Sequence, residues 1–594
     1  MPRHQRSTSM VRSRAFGLLA VLVLGAISPS SAMAQFWASY GRDAQHAGVV
    51  IGPSQYPQEI RWSTPVDLDP QYSNGNSGDL YAHYGSPVIT TRNTVLVPVK
   101  TQAQGSFAVS AFAGSTGKKI WTFATDYVLP SHDWIPPMGI TLTAGDASVV
   151  IPGAGGSVWI RSAPNSATGQ STRKSFVNLT TYLQNQAAFN NAIQISTPIT
   201  SDASGNVYFG YVSSGVPLPG YPNGIPSGLA RISSTGVGTY VAATSLCGDS
   251  NIEKVVYNCA PALSNNGRSV YVAVNSSIFS SGYLCQAASA TLSPMNHVAL
   301  ADPHGGSGVL TDDSTASPTV GPDGDVYFGV LESGWPTAHH DRGWLLHYNS
   351  TLTISKIPGS FGWDDSATVV PSKLVPSYRG SSSYLLLTKY NDYSDSGIGG
   401  TGLNKVAVLD PEATEPDPII PSVLVMKEII TVVGPTENTG QAGVREWCIN
   451  SAAIDEVNKC AIINSEDGHV YRWSFITNTL SPGVQLAPAT GEAYTPTAIG
   501  PDGAVYAINN ANLCCVVSTP RAQLETPGKE SDRLALANHS QSVAPILGVM
   551  IPIALLAAAL IALMIKASPG FALRSHLFWF RHRTPALIPI ERNH

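Results

Sequence analysis

Ser317-Pro-Thr-Val-Gly-Pro-Asp-Gly-Asp-Val-Tyr-Phe-Gly329 reads as two short strands joined by a tight turn. Pro322 fixes φ, Asp323 caps the turn and Gly324 accepts a positive φ. Val326, Tyr327 and Phe328 suit a pleated, half-buried surface. The phrase recurs as Thr197-Pro198…Gly205-Asn206-Val207-Tyr208-Phe209-Gly210 and as Thr495-Pro496…Pro501-Asp502-Gly503-Ala504-Val505-Tyr506. Weaker copies are Ala260-Pro261…Asn266-Gly267…Val270-Tyr271 and Ser86-Pro87…Arg92-Asn93…Val95-Leu96. Glu466-Asp467-Gly468-His469-Val470-Tyr471 keeps the turn and the second strand. A strand–turn–strand unit repeated in this way predicts a repeat architecture.

Repeat starts fall at Pro87, Pro137, Pro198, Pro261, Pro318, Ala367, Ala452 and Pro496, at intervals of 50, 61, 63, 57, 49, 85 and 44 residues. Such spacing matches a four-stranded blade with variable loops, so the sequence predicts an all-β protein: an eight-bladed β-propeller, with seven blades as the alternative. The long interval after Ala367 still holds four strands, around Val369, Tyr384–Leu387, Val406–Leu409 and Leu424–Val433. Its excess lies in the loop from Asn391 to Gly402.

Both ends of the chain read differently. Residues 1–34 carry Arg3, Arg6, Arg12 and Arg14, then an apolar run from Ala15 to Ile27, then Ala32-Met33-Ala34 before Gln35; this is the pattern of a secretory signal peptide. Residues 543–565 are uncharged and apolar, long enough at about 1.5 Å per residue to cross a roughly 30 Å hydrocarbon core. Lys566, Arg574, Arg581, Arg583 and Arg592 follow, which predicts a short basic cytoplasmic tail over 566–594. Residues 518–542 mix Pro, Gly and charge without apolar period and read as a stalk. The expected organisation is a propeller ectodomain over 35–517, outside the cytoplasm, held at a cell membrane by a single C-terminal helix. Asn178, Asn275, Asn349 and Asn538 head Asn-x-Ser/Thr sequons, a number that chance alone supplies in such a chain.

Composition agrees with a turn-rich β protein. Charged residues make up 12% of the chain, Gly and Pro number 54 and 43, and the net charge is −5, which gives no reason to expect a nucleic-acid partner. An exported location also admits disulfides. Cys247 and Cys259 stand twelve apart, as do Cys448 and Cys460, and each pair flanks the start of a repeat, so both are expected to staple a loop. Cys285, Cys514 and Cys515 remain. The adjacent Cys514 and Cys515 either form a strained vicinal disulfide or stay in the last strand, one of them open to pairing with Cys285.

A second signature, Ala111-Phe-Ala-Gly-Ser-Thr116-Gly117-Lys-Lys-Ile-Trp121, ends the first repeat. It resembles the repeat of pyrroloquinoline-quinone-type propellers, in which Thr-Gly turns between the outer strands and a Trp docks between neighbouring blades. Ala230-Arg-Ile-Ser-Ser-Thr235-Gly236 is a second copy, with Tyr240 at the tryptophan's offset; the family's Asp is Ala113 in one copy and Ile232 in the other. Trp37-Ala-Ser-Tyr40-Gly41-Arg-Asp43-Ala-Gln-His46-Ala-Gly48 looks like the opening motif of quinoprotein-like propellers, a group that includes the scaffold lipoprotein of the outer-membrane assembly machinery. Ile60-Arg61-Trp62 repeats the Ile120-Trp121 ending, whereas the last repeat, Thr495 to Val517, lacks one. The N-terminal strand is therefore expected to supply the last blade's outer strand and close the ring. Trp62, Trp121 and Tyr240 are the expected blade-docking residues.

The resemblance implies two functions. One is a membrane-anchored binding or scaffold propeller, without a cofactor, that takes a protein, peptide or glycan on one face of the ring. The other is a quinoprotein dehydrogenase acting on alcohols or sugars with pyrroloquinoline quinone and Ca²⁺ in the channel, where a Cys514–Cys515 bond would lie by the cofactor. Candidate polar groups are scattered: Asp133-Trp134, Arg342-Gly-Trp344, Asp364-Asp365 and Glu446-Trp447. His339-His340-Asp341 offers two imidazoles, but neighbours on a strand point to opposite faces and do not share a metal. Phosphate loops, helical His-Glu-x-x-His and nucleophile elbows do not occur. The degenerate repeats favour the binding protein.

Overall fold

The computed structural model describes residues 36–519, apart from 73–79, 83–84, 104, 131–137, 278, 312–315, 336, 395–396, 441, 450, 489–490 and 492. Eight sheets, antiparallel except where Val49–Val50 joins one of them, follow one another along the chain. Their inner strands are Val88–Ile89, Thr141–Leu142, Thr200–Ser201, Ala262–Leu263, Thr319–Val320, Thr368–Pro371, Ala453–Asp455 and Ala498–Ile499, which define blades 1 to 8. The molecule is an eight-bladed β-propeller. In blade 5 the quoted stretch forms as expected: Thr319–Val320 pairs with Val326–Val330 across a turn in which Gly324 N donates to Gly321 O at 2.9 Å with φ at +95°. The Asp323 carboxylate accepts from Asp325 N at 3.0 Å, the local bond that makes aspartate a turn residue.

Burial grades outward through each blade. Second strands such as Val326–Val330 and Tyr384–Tyr390 are buried throughout, whereas the outer strand Pro294–Ala299 alternates between exposed and half-buried positions. Apolar side chains from adjacent blades meet in continuous clusters, so each sheet buries both faces against its neighbours.

Ring closure occurs as the N-terminal motif predicts. Glu59–Pro65 pairs antiparallel with Asn512–Val517 and becomes the outer strand of blade 8. The preceding segment does something that no motif announces. Residues 37–50 run along the inner strands: Trp37 exchanges two backbone bonds with Ile89 in blade 1, and the carbonyls of Ala38, Ala44, Gln45, Ala47 and Gly48 accept from Leu142, Leu263, Val320, Val369 and Ile454. Val49–Val50 then pairs parallel with Ile454 and Asp455. One segment thus satisfies inner-edge amides of blades 1, 2, 4, 5, 6 and 7 and occupies the axis of the ring. Gly48, at φ +68°, fits because a Cβ there would lie 2.6 Å from Thr368 Cγ2.

His46 is the titratable anchor of this axial segment. Its Nδ1–H donates to Pro318 O at 2.7 Å, and its ring packs edge-on to Tyr40. Burial lowers its pKa to about 4, against the raising pull of the Pro318 carbonyl and Asp43. The folded state therefore disfavours the imidazolium. The stability this group contributes is complete above its unfolded pKa of about 6.5 and is lost as pH falls towards 4, a loss of about 3 kcal/mol. Urea unfolding of wild type and His46→Asn between pH 4 and 7.5 should show that component only in wild type; parallel curves would refute it.

The disulfide expectations are not met. None of the seven cysteines is in a disulfide. Cys448 precedes the inner strand of blade 7, whereas Cys460 opens its second strand beyond the next turn, so the two stand at opposite ends of the blade. Cys448 instead meets the Glu466 carboxylate at 3.3 Å, and Cys460 Sγ accepts from Arg472 Nε at 3.2 Å. Cys247 faces Cys285 rather than Cys259. Cys514 and Cys515 are unbonded neighbours on the third strand of blade 8, off the axis. Successive strand residues point to opposite faces, and Cys515 Sγ lies 3.7 Å from Gly114 O of blade 1. The signal peptide and the apolar stretch 543–565 lie outside the described residues; among the described residues no helix is long and apolar enough to cross a membrane.

Candidate functional site

An antiparallel meander sends its connections alternately to two faces of the ring. Inner-to-second connections, apart from the Pro371–Tyr384 segment of blade 6, and most third-to-outer connections are tight turns and define a turn face. The second-to-third links of blades 1, 2, 7 and 8 are short, while outer-to-inner connections and the second-to-third connections of blades 3, 5 and 6 are longer and define a loop face. They include helices α1 (Leu179–Gln184) and α2 (Gln186–Ala192) between blades 2 and 3, and α3 (Ala243–Cys247) between blades 3 and 4. The third-to-outer hairpin of blade 6 is also long, and its outer strand reaches Pro358 of blade 5 through Met426 N.

Charged side chains that are buried collect in the loops of blades 5, 6 and 7. After the second strand of blade 5, the Glu332 carboxylate accepts from the backbone of His339, Asp341 and Gly343 at 3.2, 3.0 and 2.9 Å and closes a compact loop. That loop aims Arg342 inward. Its guanidinium donates to Ser360 O, Ser360 Oγ and Asn391 O at 2.9, 3.1 and 2.8 Å, and lies 4.3 Å from the Tyr390 ring centroid. The adjacent imidazoles diverge. His339 stacks on Trp344 and reaches Asp417 at 3.1 Å, whereas His340 reaches Asp392 at 2.8 Å. Hydrogen bonds from His339 and Ser360 outweigh burial and hold Asp417 well below the usual carboxylate range.

Lys389 is the last residue but one of the second strand of blade 6 and is 1% exposed. Its ammonium is 3.6 Å from Asp364. Burial pulls Lys389 down, but Asp364, Cys448, Asp365 and Glu446 outweigh it and leave the amine above its ordinary pKa. Asp365 accepts from the Thr388 hydroxyl, and its Oδ1 has no hydrogen-bond partner. Burial pushes Asp365 up to about 7 despite Lys389 and Thr388. Next to it, Ser366 Oγ meets Tyr40 OH at 2.9 Å, so the cluster sits directly over the axial segment. Blade 7 completes the mouth: ligand atoms of Glu446, Cys448 and Glu466 lie within 4.8 Å of one another. Asn391 locks the loops together, donating to Trp447 O at 3.2 Å and accepting from Trp447 N at 3.1 Å.

The fold thus gathers three of the scattered sequence candidates, Arg342-Trp344, Asp364-Asp365 and Glu446-Trp447, at one mouth. Asp133-Trp134 lies outside the described residues. Cys514 and Cys515 are not part of this mouth. Trp62 and Trp121 stand on outer strands and donate to Gly114 O and Pro164 O, each at 2.7 Å, on the following blade. Tyr240 packs against Phe176 and Tyr211. Sequence reasoning passed over Lys389 and Asn391. The signal was a lone lysine in the apolar run Tyr384–Tyr390, which had to find carboxylates once buried.

A quinone cofactor binds through carboxylates and calls for cationic side chains that are not already committed. Here Arg342 is spent on Ser360 and Asn391, and Lys389 stands among acids. The axis beneath is filled by residues 37–50. This donor set does not fit a polycarboxylate quinone.

No family model and no curated protein matches the chain. Many solved structures share the fold. One is BamB from Moraxella catarrhalis, 10% identical over 77% of this chain and 99% of that one, with a TM-score of 0.42. A europium-containing methanol dehydrogenase is 8% identical over 80% and 89%, with a TM-score of 0.46. Saccharomyces cerevisiae Sqt1 is 10% identical over 78% and 100%, with a TM-score of 0.43. The likeness is one of fold, and neither activity nor partner follows from it.

Proposed function

We propose that this chain is a membrane-anchored, extracytoplasmic propeller that binds a protein, peptide or glycan through its loop face and does no chemistry in its channel. The observation that supports this reading is the asymmetry of the connections. Tight turns dominate one face, while the three α-helices among the described residues and most of the long loops rise from the other, on a ring whose axis the chain itself fills. Elaborated loops on a rigid scaffold are where recognition sites are built. The described chain leaves blade 8 on the turn face, where Ser518 N meets Gln55 Oε1 and Thr519 N meets Gln58 Oε1. An anchor at 543–565 would hold the turn face towards the bilayer and present the loop face outward.

Photo-crosslinking of the full-length chain in its host tests this. Probes replace Leu183, Val216 or Leu403 on the loop face, and Val237, Ile354 or Ile476 on the turn face, all exposed. Adducts to one discrete partner from the loop-face probes alone are expected; equal labelling from both faces would refute the assignment. A parallel titration of the full-length protein with pyrroloquinoline quinone and Ca²⁺ is expected to leave the melting temperature unchanged. Saturable binding that raises it would establish a cofactor site and the dehydrogenase reading instead.

A further inference from the structure

The loop between blades 3 and 4 carries a second unassigned cluster. Helix α3 ends at Cys247 and is stopped by Gly248 at φ +70°. The third strand of blade 4, Gly282–Ala288, passes beneath it and places Cys285 under the helix end. Cys247 Sγ donates to Ala243 O of its own helix at 3.4 Å and faces the Cys285 thiol, and both cysteines belong to one buried apolar cluster. Cys247 is 3% exposed and Cys285 is fully buried. Tyr283, two residues before Cys285 on the same strand, donates its hydroxyl to Asp249 at 3.0 Å and ties the end of the helix to the strand.

We propose that Cys247 and Cys285 are a dithiol site that closes to an intramolecular disulfide when the chain meets a small-molecule or protein disulfide. The Cys247 thiolate attacks one sulfur of that oxidant, forming a mixed disulfide and expelling one thiolate. Cys285 then gives up its proton and attacks Cys247 Sγ, and the second oxidant thiolate leaves. Two protein thiols lose two hydrogens, and one oxidant disulfide becomes two thiols. The roles follow from the environment. A hydrogen bond from Cys285 stabilises the Cys247 thiolate and holds its pKa at about 7, whereas burial pushes Cys285 well above its ordinary value. Access comes from the helix. Five residues with no side-chain N-cap bond make a marginal helix, and its opening exposes Cys247. The bond would span 38 residues of chain and fasten the loop between blades 3 and 4 to the body of blade 4.

The test treats the full-length protein, reduced and then refolded from urea, with glutathione disulfide, followed by alkylation and peptide mapping. A Cys247–Cys285 linked peptide is expected, with Cys259 alkylated, and with a melting temperature several degrees above that of the reduced protein. Cys259→Ser should retain the link. Cys285→Ser should leave Cys247 carrying one glutathione. A Cys247–Cys259 link, or Cys247 and Cys285 both alkylated after oxidative refolding, overturns the assignment. If Cys285→Ser does not refold, the Cys259→Ser map decides alone.

Discussion

Trp62→Ala is expected to cost about 3–4 kcal/mol in urea unfolding of the full-length protein. The indole fills the seam where the ring closes. It stands 5.8 and 5.9 Å from the rings of Phe112 in blade 1 and Tyr506 in blade 8, and its Nε1–H donates to Gly114 O at 2.7 Å. Gly117 leaves room for it, since a Cβ there would lie 2.6 Å from the indole. Truncation removes the half-buried aromatic packing between two blades and strips a carbonyl of its donor. Trp62→Phe keeps most of the packing and should cost about 1–2 kcal/mol. Hydrogen exchange should locate the loss, with the amides of Glu59–Pro65 opening first, because that strand is held by the seam and by one neighbour. A cost below about 1 kcal/mol for the alanine variant would mean that the seam is held by backbone pairing alone.

Lys100→Met should be the other large effect, about 3–5 kcal/mol at pH 7. Lys100 lies near the end of the second strand of blade 1, Thr94–Gln102. Its ammonium is 3.0 Å from Asp67 and donates to Asp69 O at 2.5 Å, with neither charged side chain exposed. Lys100 N and O also bond Val66 and Leu68, so the residue pins the chain just after the closing strand. Burial already raises the Asp67 pKa, although Lys100 and the Asp69 backbone oppose it. Removing the ammonium strands a buried carboxylate, which is the costly half of breaking a buried pair. The penalty should depend on pH with a fixed sign. Asp67 in the variant prefers to be protonated when folded, so the deficit is full at neutral pH and shrinks as pH falls towards the unfolded pKa of about 4. Lys100→Met/Asp67→Asn should recover most of the loss at pH 7. A deficit that stays flat from pH 7 to pH 4 would show that lost packing of the lysine stem, not the stranded charge, sets the cost.

Local physics wrote much of this protein into its sequence. Pro-Asp-Gly turns with Val-Tyr after them fix strand and turn within a few residues, because proline φ, an aspartate-to-backbone bond and a glycine at positive φ act locally. Repetition then fixes the architecture: a sheet of three or four short strands buries its faces only against copies of itself, so seven of the eight inner strands open within two residues of the marked starts, and the remaining one at Thr141. Ring closure was legible too, since the last repeat was one strand short and the N-terminus carried the missing ending. The disulfides were not legible. Equal spacing of twelve says nothing about direction, and only the tertiary fold put Cys448 and Cys460 at opposite ends of a blade and set Cys285 beneath Cys247.

The candidate mouth and the filled axis were likewise decided by the fold. Asp365, Lys389 and Cys448 come from three separate stretches and meet only because adjacent blades bring their loops together. Residues 37–50 could be read as a motif but not as a plug, because their partners are backbone amides on six different blades. Backbone groups carry no sequence signature, so what lies along the axis is determined only once the ring exists.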